Sequence, residues 1–472
     1  MGGDLGVAAL CLLVYLLCGQ RTLHGTDSEN LVLWLKAGDR FAYPRHVAFL
    51  PLTCWLHSLL QPLGISAFRT LLLASACGSA LGVFAIARAA RWLLPANASP
   101  RSAALAVAVT PAWFFYATAV ELPGVFVGGL GVSWWLFARW CARPGPWRAA
   151  AVGFAVGAAA GLHGLGSLLT PMFVLFALAR GGTPWRRGLL HATLALSAQL
   201  GVTALLSWWL SRPGEGQAAG AISWLTAWME VFAASELATV LWQELLVPYL
   251  PWCVVALVAA CSANGRTWAK WWGIAFLLHA PVALLLLARP LQIDEHGAYL
   301  LPVAVPAALT AAAVLPRRWL LAMLLVSAVL AVLGVAPEWR VTYRDDYVAG
   351  IAELRRERPF TLLVGRFDEI EAVAIETDGQ PLLDVNRALW EFLGQRAAGT
   401  GAPLSAWFDG AYALFAASGS PLFVTEGGRA AFTGSSDEEV RRLWSEHVER
   451  NYELLAERRA GLNGWFLRPR AR

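Results

Sequence analysis

The sequence predicts a polytopic α-helical membrane protein of about eleven transmembrane helices, followed by a small soluble α/β domain. Hydrophobic residues make up 57% of the 472 residues and charged residues only 15%, whereas soluble proteins carry about 25% charged residues. Only eleven of the 32 acidic residues precede residue 336. We therefore predict a membrane domain over residues 1–335 and a soluble domain over residues 336–472.

The predicted spans are the apolar runs that approach the roughly 17–25 residues needed to cross a bilayer. They are residues 5–19, 67–87, 102–119, 122–138, 149–164, 166–179, 188–209, 246–262, 271–288, 298–315 and 319–335. The first run follows Met-Gly-Gly-Asp, which lacks positive charge, and no small-residue cleavage site follows it. It is therefore predicted to be an uncleaved helix and not a signal peptide.

The charges between these runs divide by side. With the N-terminus inside, the predicted cytoplasmic turns contain the following basic residues: Arg88, Arg91, Arg101, Arg139, Arg143, Arg148, Arg180, Arg186, Arg187, Arg266, Lys270, Arg317 and Arg318. The opposite side receives these acids: Asp27, Glu29, Asp39, Glu121, Glu215, Glu230, Glu236, Glu244, Asp294 and Glu295. The positive-inside rule predicts this separation, and an odd number of spans places residues 336–472 outside.

Several function classes find no support in the sequence. The net charge of +5 comes from arginines between apolar runs, and no basic patch with interleaved aromatics suggests nucleic acid as a partner. The seven cysteines include no CxxC, so no disulfide framework or thiolate metal site is indicated. P-loop, dinucleotide, nucleophile-elbow and HExxH motifs are all missing from the sequence.

Two external connections, residues 20–66 and 210–245, are long enough to contain helices on the membrane surface. The first contains Asp27 and Glu29 shortly after the first span. Thr26 followed by Glu29 fits a capping box, with Asp27 at the first helical position. Alternatively, one of the two carboxylates acts as general base on an incoming hydroxyl while the other caps the helix.

Other polar residues also lie on the predicted external side. A proline-containing turn with Arg45 and His46 can clamp a phosphate or anchor the chain among headgroups. Glu121 lies in a tight turn and is either a solvated loop acid or a site residue. His163, flanked by glycines at the end of a span, is either a core histidine or a functional group.

The densest ionisable cluster is Asp294-Glu295-His296, at the start of a span that continues with Tyr299. It can form a metal site from carboxylate and imidazole, or a leaving-group site that uses the histidine. A short hydrated loop between helices is the alternative.

The soluble domain alternates strands and helices, which predicts a small parallel sheet. Strands are predicted at 361–365, 381–386 and 421–425, and helices at 368–375, after 386 through 393, and at 437–459, the last capped by Ser435 or Ser436. Asp368, Asp384 and Asn386 fall at strand ends, where α/β folds bind ligands, although packing or capping also explains them.

In their order and sidedness, these motifs resemble the GT-C superfamily of polyprenyl-phosphate-sugar-dependent glycosyltransferases, most of all its protein O-mannosyltransferase-like and bacterial branches. The resembling segments are Asp27-Ser28-Glu29, Tyr43-Pro44-Arg45-His46, Glu121, Gly161-Leu162-His163 before Thr170-Pro171, and Asp294-Glu295-His296 leading into Tyr299-Leu300-Leu301-Pro302. The resemblance covers residues 1 to about 315 as an architecture, and residues 361–386 resemble the segment that follows the membrane part in some relatives.

The resemblance implies transfer of a sugar from a polyprenyl-phosphate carrier to an acceptor glycan, lipid or protein, with inversion, outside the bacterial inner membrane. It implies Asp27 or Glu29 as the base, and Arg45, His46 and His163 as ligands of the donor phosphate. Glu121 and Glu295 are further active-site candidates, and a divalent metal near Asp294 and His296 is an alternative way to stabilise the leaving phosphate. A lipid or solute transporter, and a non-catalytic scaffold presenting the C-terminal domain, are the alternative functions.

Overall fold

The computed structural model describes residues 2–42, 46–180, 185–210, 241–261, 265–287, 296–341, 343–377, 380–386, 388–389 and 403–470. The chain forms two compact units, Met1–Trp339 and Arg340–Arg472. Most of the predicted surface segment 210–245 lies outside the described residues, as do Tyr43, Pro44, Arg45, Asp294 and Glu295.

Every described element of the first unit is helical. The α-helices are α1 (Gly2–Leu17), α2 (Gly25–Ala37), α3 (Phe49–Leu60), α4 (Ala67–Leu93), α5 (Pro100–Ala108), α6 (Pro111–Thr118), α7 (Leu122–Ala142), α8 (Pro146–Leu162), α9 (Leu169–Arg180), α10 (Trp185–Leu210), α11 (Val247–Ala260), α12 (Arg266–Leu287), α13 (Leu301–Val314) and α14 (Arg317–Val335). Shorter 3₁₀ segments are Gln61–Leu63, Gly164–Leu168, Ala298–Leu300 and Ala336–Trp339, and Leu241–Leu246 is a π-helix.

In the described residues each predicted span overlaps helical structure, but the predicted run 102–119 is divided into α5 and α6. Pro111 occupies the first position of α6, where a proline is tolerated but cannot continue the preceding helix. Among the described residues, four helices are long and apolar enough to cross a membrane: Ala67–Leu93, Leu122–Ala142, Arg186–Leu210 and Arg317–Trp339. The number of eleven crossings therefore stays a prediction.

Helices α4 and α7 pack along a seam of glycines. A Cβ atom at Gly82 would lie 2.6 Å from the carbonyl oxygen of Val127, and one at Gly131 would lie 2.6 Å from the Cα of Gly82. Small residues at such a seam let two backbones approach closely, which is a common way for helices to associate in membranes. This close approach brings the start of α7 against α4.

Asp4 anchors α1 to the rest of the unit. Its carboxylate is fully buried and accepts two hydrogen bonds from Arg91, at 2.8 Å from Nε and 2.7 Å from Nη2. Arg88 and Arg101 lie at 3.7 and 3.6 Å from the same carboxylate. Three of the arginines predicted for the cytoplasmic side therefore surround one acid of the first helix.

The second unit contains a five-stranded mixed sheet. Its strands are β1 (Thr361–Val364), β2 (Leu382–Asp384), β3 (Leu422–Thr425), β4 (Tyr452–Arg459) and β5 (Leu462–Pro469), in the order β2-β1-β3-β5-β4. Its α-helices are α15 (Asp345–Glu357), α16 (Phe367–Glu376), α17 (Leu404–Ala417), α18 (Glu426–Thr433), α19 (Glu438–Arg442) and α20 (Glu449–Asn451), and Leu443–Val448 is a π-helix. Strands β1, β2 and β3 are parallel, as predicted, whereas β5 is antiparallel to β3 and β4.

The predicted helix over 437–459 is wrong in its second half. Helical structure ends at Asn451, and the following residues form β4, which pairs with β5 through a two-residue turn at Ala460-Gly461. Gly461 has a φ of 67°, as tight hairpin turns require. The predicted serine cap is also wrong, because Asp437 accepts hydrogen bonds from the amides of Glu439 and Val440.

Candidate active site

The N-terminus of α2 differs from the predicted capping box. The helix begins at Gly25, and His24 is the N-cap residue without a side-chain capping bond. The chain before it is fixed by backbone bonds, from the Gln20 amide to Thr118 (2.9 Å) and from the Arg21 amide to Glu338 (2.9 Å). The described backbone thus places His24 beside the C-terminus of α6.

Glu121 connects three helices. It lies in the turn between α6 and α7 and is 8% exposed, so the interpretation as a solvated loop acid is wrong. The Ser28 hydroxyl of α2 is 2.6 Å from Glu121 Oε1 and 2.7 Å from the carbonyl oxygen of His24. The Ser75 hydroxyl of α4 donates to the Glu121 carbonyl at 3.3 Å.

The two candidate bases lie on either side of Ser28. Glu29 is only 2% exposed, which makes it a packed residue of α2. Positions 27 and 29 are separated by about 200° around a helix. The side chain of Asp27 lies outside the described part of the structure.

His296 packs in a small aromatic cluster with His24 and Phe115. Its ring centroid is 4.6 Å from that of His24 and 4.2 Å from that of Phe115, on which it stacks. His24 in turn meets Phe115 edge-on at 4.8 Å. The described end of the Asp294-Glu295-His296 motif therefore contacts the start of the first external loop.

The backbone at His296 is unusual and tightly held. His296 has a φ of 40° and Gly297 a φ of 79°. The Gly297 amide donates to Glu244 Oε2 at 2.7 Å, and its carbonyl accepts from the Tyr249 hydroxyl at 2.6 Å. A left-handed non-glycine residue fixed in this way is typical of functional sites.

His163 forms a second ring cluster. It stacks on His46 at 4.8 Å and contacts the rings of Phe126 at 5.3 Å and Tyr299 at 6.4 Å. Its Nδ1 accepts a hydrogen bond from the Leu165 amide at 3.3 Å. In the neutral ring the hydrogen is therefore on Nε2, which can donate to an anionic oxygen.

The two clusters are connected through the segment that carries both His296 and Tyr299. The described parts of the first loop, the Glu121 turn, the His163 turn and this segment therefore meet in one region. Whether Arg45, Asp294 and Glu295 join them falls outside the described residues. What the region offers chemically is carboxylates beside imidazoles, between helices of an apolar unit.

Comparisons with known proteins identify the architecture. No protein-family model and no curated protein matches the sequence. The crystal structure of ArnT from Cupriavidus metallidurans bound to undecaprenyl phosphate aligns with a TM-score of 0.64 and 16% identity, over 99% of this chain and 98% of that chain. Its apo state gives 0.61 at the same identity and coverage. The cryo-EM structure of the arabinofuranosyltransferase AftD from Mycobacteria gives 0.51 and 13% identity, over 90% of this chain but 35% of that one.

The chain has the GT-C fold. This confirms the fold predicted from the order of the motifs. The names of the similar structures do not single out mannose, so the O-mannosyltransferase-like branch stays a prediction.

Within this GT-C fold, the sequence interpretation overlooked His24, Ser28, Phe115 and Tyr249 as site residues, and it treated Glu244 only as an external acid. The positions of the histidines in the sequence could have indicated some of these site residues. The chain has eight histidines, and four of them form the two ring pairs His24–His296 and His46–His163. Polar rings are costly in an apolar unit, so their positions mark sites.

Proposed function

We propose that the chain transfers a sugar from a polyprenyl-phosphate carrier to an acceptor hydroxyl on a glycan, lipid or protein. The observation that carries the proposal is the whole-chain likeness to the structure of ArnT bound to undecaprenyl phosphate. The meeting of carboxylate and histidine motifs in one region supports it independently. Activated sugar arrives on its carrier, so no nucleotide site is needed.

In the proposed reaction, Asp27 takes the proton of the acceptor hydroxyl as the oxygen bonds to the anomeric carbon of the sugar. The bond from that carbon to the phosphate oxygen breaks on the opposite face, and the phosphate leaves with the electron pair. A single displacement inverts the anomeric configuration. We assign the base to Asp27 because Glu29 is only 2% exposed.

The leaving phosphate gains charge in the transition state, and fixed donors that face it lower the barrier. We propose Arg45, His46 and His163 for this task. The Nε2–H of His163 is oriented by the bond that Nδ1 accepts from Leu165. Glu121 acts through Ser28 as a positioning residue for the loop that carries Asp27.

A divalent metal held by Asp294 and His296 is the alternative way to stabilise the phosphate. His296 contacts two aromatic rings, and among the described residues no group of three His, Cys, Asp or Glu side chains is arranged to hold a metal ion. Sugar transfer measured after chelation and after readdition of Mg²⁺ or Mn²⁺ distinguishes the two mechanisms.

The scaffold alternative predicts that the motif residues are scattered, whereas the described parts of these motifs meet. No described feature favours the transporter alternative. We further propose that the protein resides in the bacterial inner membrane, with the reaction and residues 336–472 on the extracytoplasmic side.

The test is release of undecaprenyl phosphate from undecaprenyl-phosphate sugars, mannose included, by the purified full-length protein in nanodiscs with envelope glycolipids as acceptors. Mass spectrometry of envelope glycans, with and without the protein, identifies the modified acceptor. We expect Asp27→Asn to lose at least 10²-fold in rate, as removal of a general base does, with unchanged membrane insertion.

Asp39→Asn is the matched control. Asp39 belongs to the same loop, where its carboxylate accepts from the Phe41 amide, and its loss should leave the rate unchanged. Wild-type turnover in Asp27→Asn together with a dead Glu29→Gln would move the base to Glu29. No release from any donor by the wild-type protein would refute the transferase.

A further inference from the structure

The sheet of the second unit has a topological switch point between β1 and β3. The chain leaves β1 through α16 toward β2 on one side, and it leaves β3 through α18 toward β4 and β5 on the other. Adjacent parallel strands whose connections diverge open a crevice beyond their carboxyl ends, and α/β proteins bind ligands there.

A cleft of about 140 Å³ lies at this position. Arg366, Asp368 and Glu369 line it after β1, Glu426 after β3, and Tyr347 and Asn463 from the neighbouring α15 and β5. A cavity of about 150 Å³ accommodates a single benzene ring. The cleft therefore has room for the core of one six-membered ring, with its open side available to the substituents.

The Tyr347 side chain provides an independent indication of a ligand. The residue is 8% exposed, and its buried hydroxyl has no hydrogen-bond partner among the residues that the structure describes. It faces Asp368 and Glu369, whose charges raise the pKa of this hydroxyl in addition to the larger effect of burial. A buried hydroxyl without a partner costs about 1–3 kcal/mol, and a polar ligand on the floor of the cleft would relieve that cost.

Two glycines let the segments around the cleft pack closely. A Cβ atom at Gly427 would collide with the carboxylate of Glu369, and one at Gly461 would lie 2.5 Å from the carboxyl carbon of Asp346. Glu369 is itself fixed, since it accepts from the Thr425 hydroxyl at 2.9 Å and from the Gly427 amide at 3.3 Å. The floor and walls are therefore preformed.

The charges of the cleft argue against an anionic ligand. Arg366 is already paired with Asp368 through contacts of 3.0 and 2.6 Å, and Arg344 is paired in the same way with Asp346. Glu369 and Glu426 add carboxylates without a matching free arginine in the lining. What remains is a mixed array of acceptors and donors, and such an array suits hydroxyl groups, which both donate and accept.

We propose that this cleft binds one ring of a neutral carbohydrate. Sugar hydroxyls would donate to Glu369 and Glu426 and accept from Tyr347, Asn463 and the outer nitrogens of Arg366. The inference rests on residues of Arg340–Arg472 alone and does not depend on the proposed transfer reaction.

The test is saturation-transfer NMR of the full-length protein in nanodiscs with methyl glycosides of glucose, galactose, mannose, arabinose and N-acetylglucosamine. At least one should bind, and Tyr347→Phe should weaken that binding about three- to tenfold, as loss of one hydrogen bond does. The unfolding temperature of Tyr347→Phe should be unchanged or higher, because the variant removes a hydroxyl that lacks a partner.

Tyr412→Phe is the matched control in the same unit, since Tyr412 donates to the Leu467 carbonyl at 3.3 Å outside the cleft. It should bind sugar as the wild type does. The proposal is overturned if no glycoside binds, if Tyr347→Phe binds as tightly as the wild type, or if inorganic phosphate displaces the sugar. Binding that is lost in Asp27→Asn but kept in Tyr347→Phe would assign it to the membrane unit and would also overturn the proposal.

Discussion

At the scale of single residues, the candidate active site is organised by buried polar groups that hold backbone in place. Glu244 accepts from the amide of Gly297 and Tyr249 donates to the carbonyl of the same residue, and these two bonds fix the left-handed turn that presents His296. The hydrogen bond between Ser28 and Glu121 likewise holds the start of α2 in place. Each bond joins segments far apart in sequence, so a small change at one end alters the geometry of the site.

Tyr249→Phe tests this positioning. The variant removes the hydroxyl bond to Gly297 while keeping the packed ring, so we expect the transfer rate to fall about three- to tenfold, the effect of losing one hydrogen bond. Tyr15→Phe is matched to it, because Tyr15 is also buried and donates to a backbone carbonyl, that of Ala108 at 3.1 Å. Both variants should lose similar thermal stability. Equal rate losses would show that the effect is general destabilisation.

Glu369 of the second unit predicts a pH dependence. Burial raises the pKa of this carboxyl above its ordinary value of 4.5, so the folded state holds the proton more tightly than the unfolded state. The associated stability is complete below pH 4.5 and is lost as the pH rises through the raised pKa.

Glu369→Gln should flatten that loss. Hydrogen exchange of peptides covering β1 and β3, corrected for intrinsic rates and followed upward from pH 4.5, measures it. Glu446→Gln changes a side chain that is 60% exposed. In this variant stability should fall with rising pH as it does in the wild type. If Glu369→Gln showed the same change of opening free energy with pH as the wild type, the assigned cause would be contradicted.

At the scale of elements, the seam between α4 and α7 decides where the site forms. Glycines at 78, 82, 124, 128 and 131 let the helices touch through their backbones, and the same contact places Ser75 against Glu121. The small-residue spacing at 78 and 82 and at 124 and 128 is visible in the sequence. Only the structure shows that the two pairs face each other.

Gly82→Ala should destabilise the membrane unit by about 1–3 kcal/mol, as overpacking does. The added methyl would lie 2.6 Å from the Val127 carbonyl oxygen and 2.7 Å from the Trp113 ring. Gly201→Ala, in α10, is the control, because nothing lies within 4 Å of its added Cβ. That variant should be neutral or stabilised by about 0.5–1 kcal/mol. Thermal unfolding in detergent compares the two.

At the scale of the whole molecule, the predicted sidedness of the chain follows from charge. Basic residues cluster in alternate turns, and Arg88, Arg91 and Arg101 all surround Asp4 of α1. The N-terminus and these arginines therefore lie at one end of the membrane unit. The predicted odd number of crossings would place residue 472 on the other side of the membrane.

Alkaline phosphatase fusions test this topology, because the enzyme needs an oxidising compartment to form its disulfides. A fusion after Ala98, between α4 and α5, should be inactive, and a fusion after Arg472 should be active. A green fluorescent protein fusion at each position should give the reverse pattern. If the alkaline phosphatase fusions at both positions were active, or both inactive, the predicted odd number of spans would be refuted.

The sequence by itself determined the helical membrane class, the GT-C fold and the parallel strands β1, β2 and β3. Those features follow from local apolar runs, from charge between runs and from motif order, all of which are one-dimensional. It could not determine the hairpin at 452–469, because the residues of β4 also fit a charged helix until β5 pairs with them.

The tertiary structure alone decided which side chains meet. The bonds between Ser28 and Glu121 and between Glu244 and Gly297 cannot be read from spacing, because helix packing decides which partners meet. The Ser28–Glu121 pair spans 93 residues and the Glu244–Gly297 pair spans 53. Likewise, the sequence pattern does not single out Tyr347. Its buried hydroxyl became informative only when the fold placed it beneath the cleft between β1 and β3.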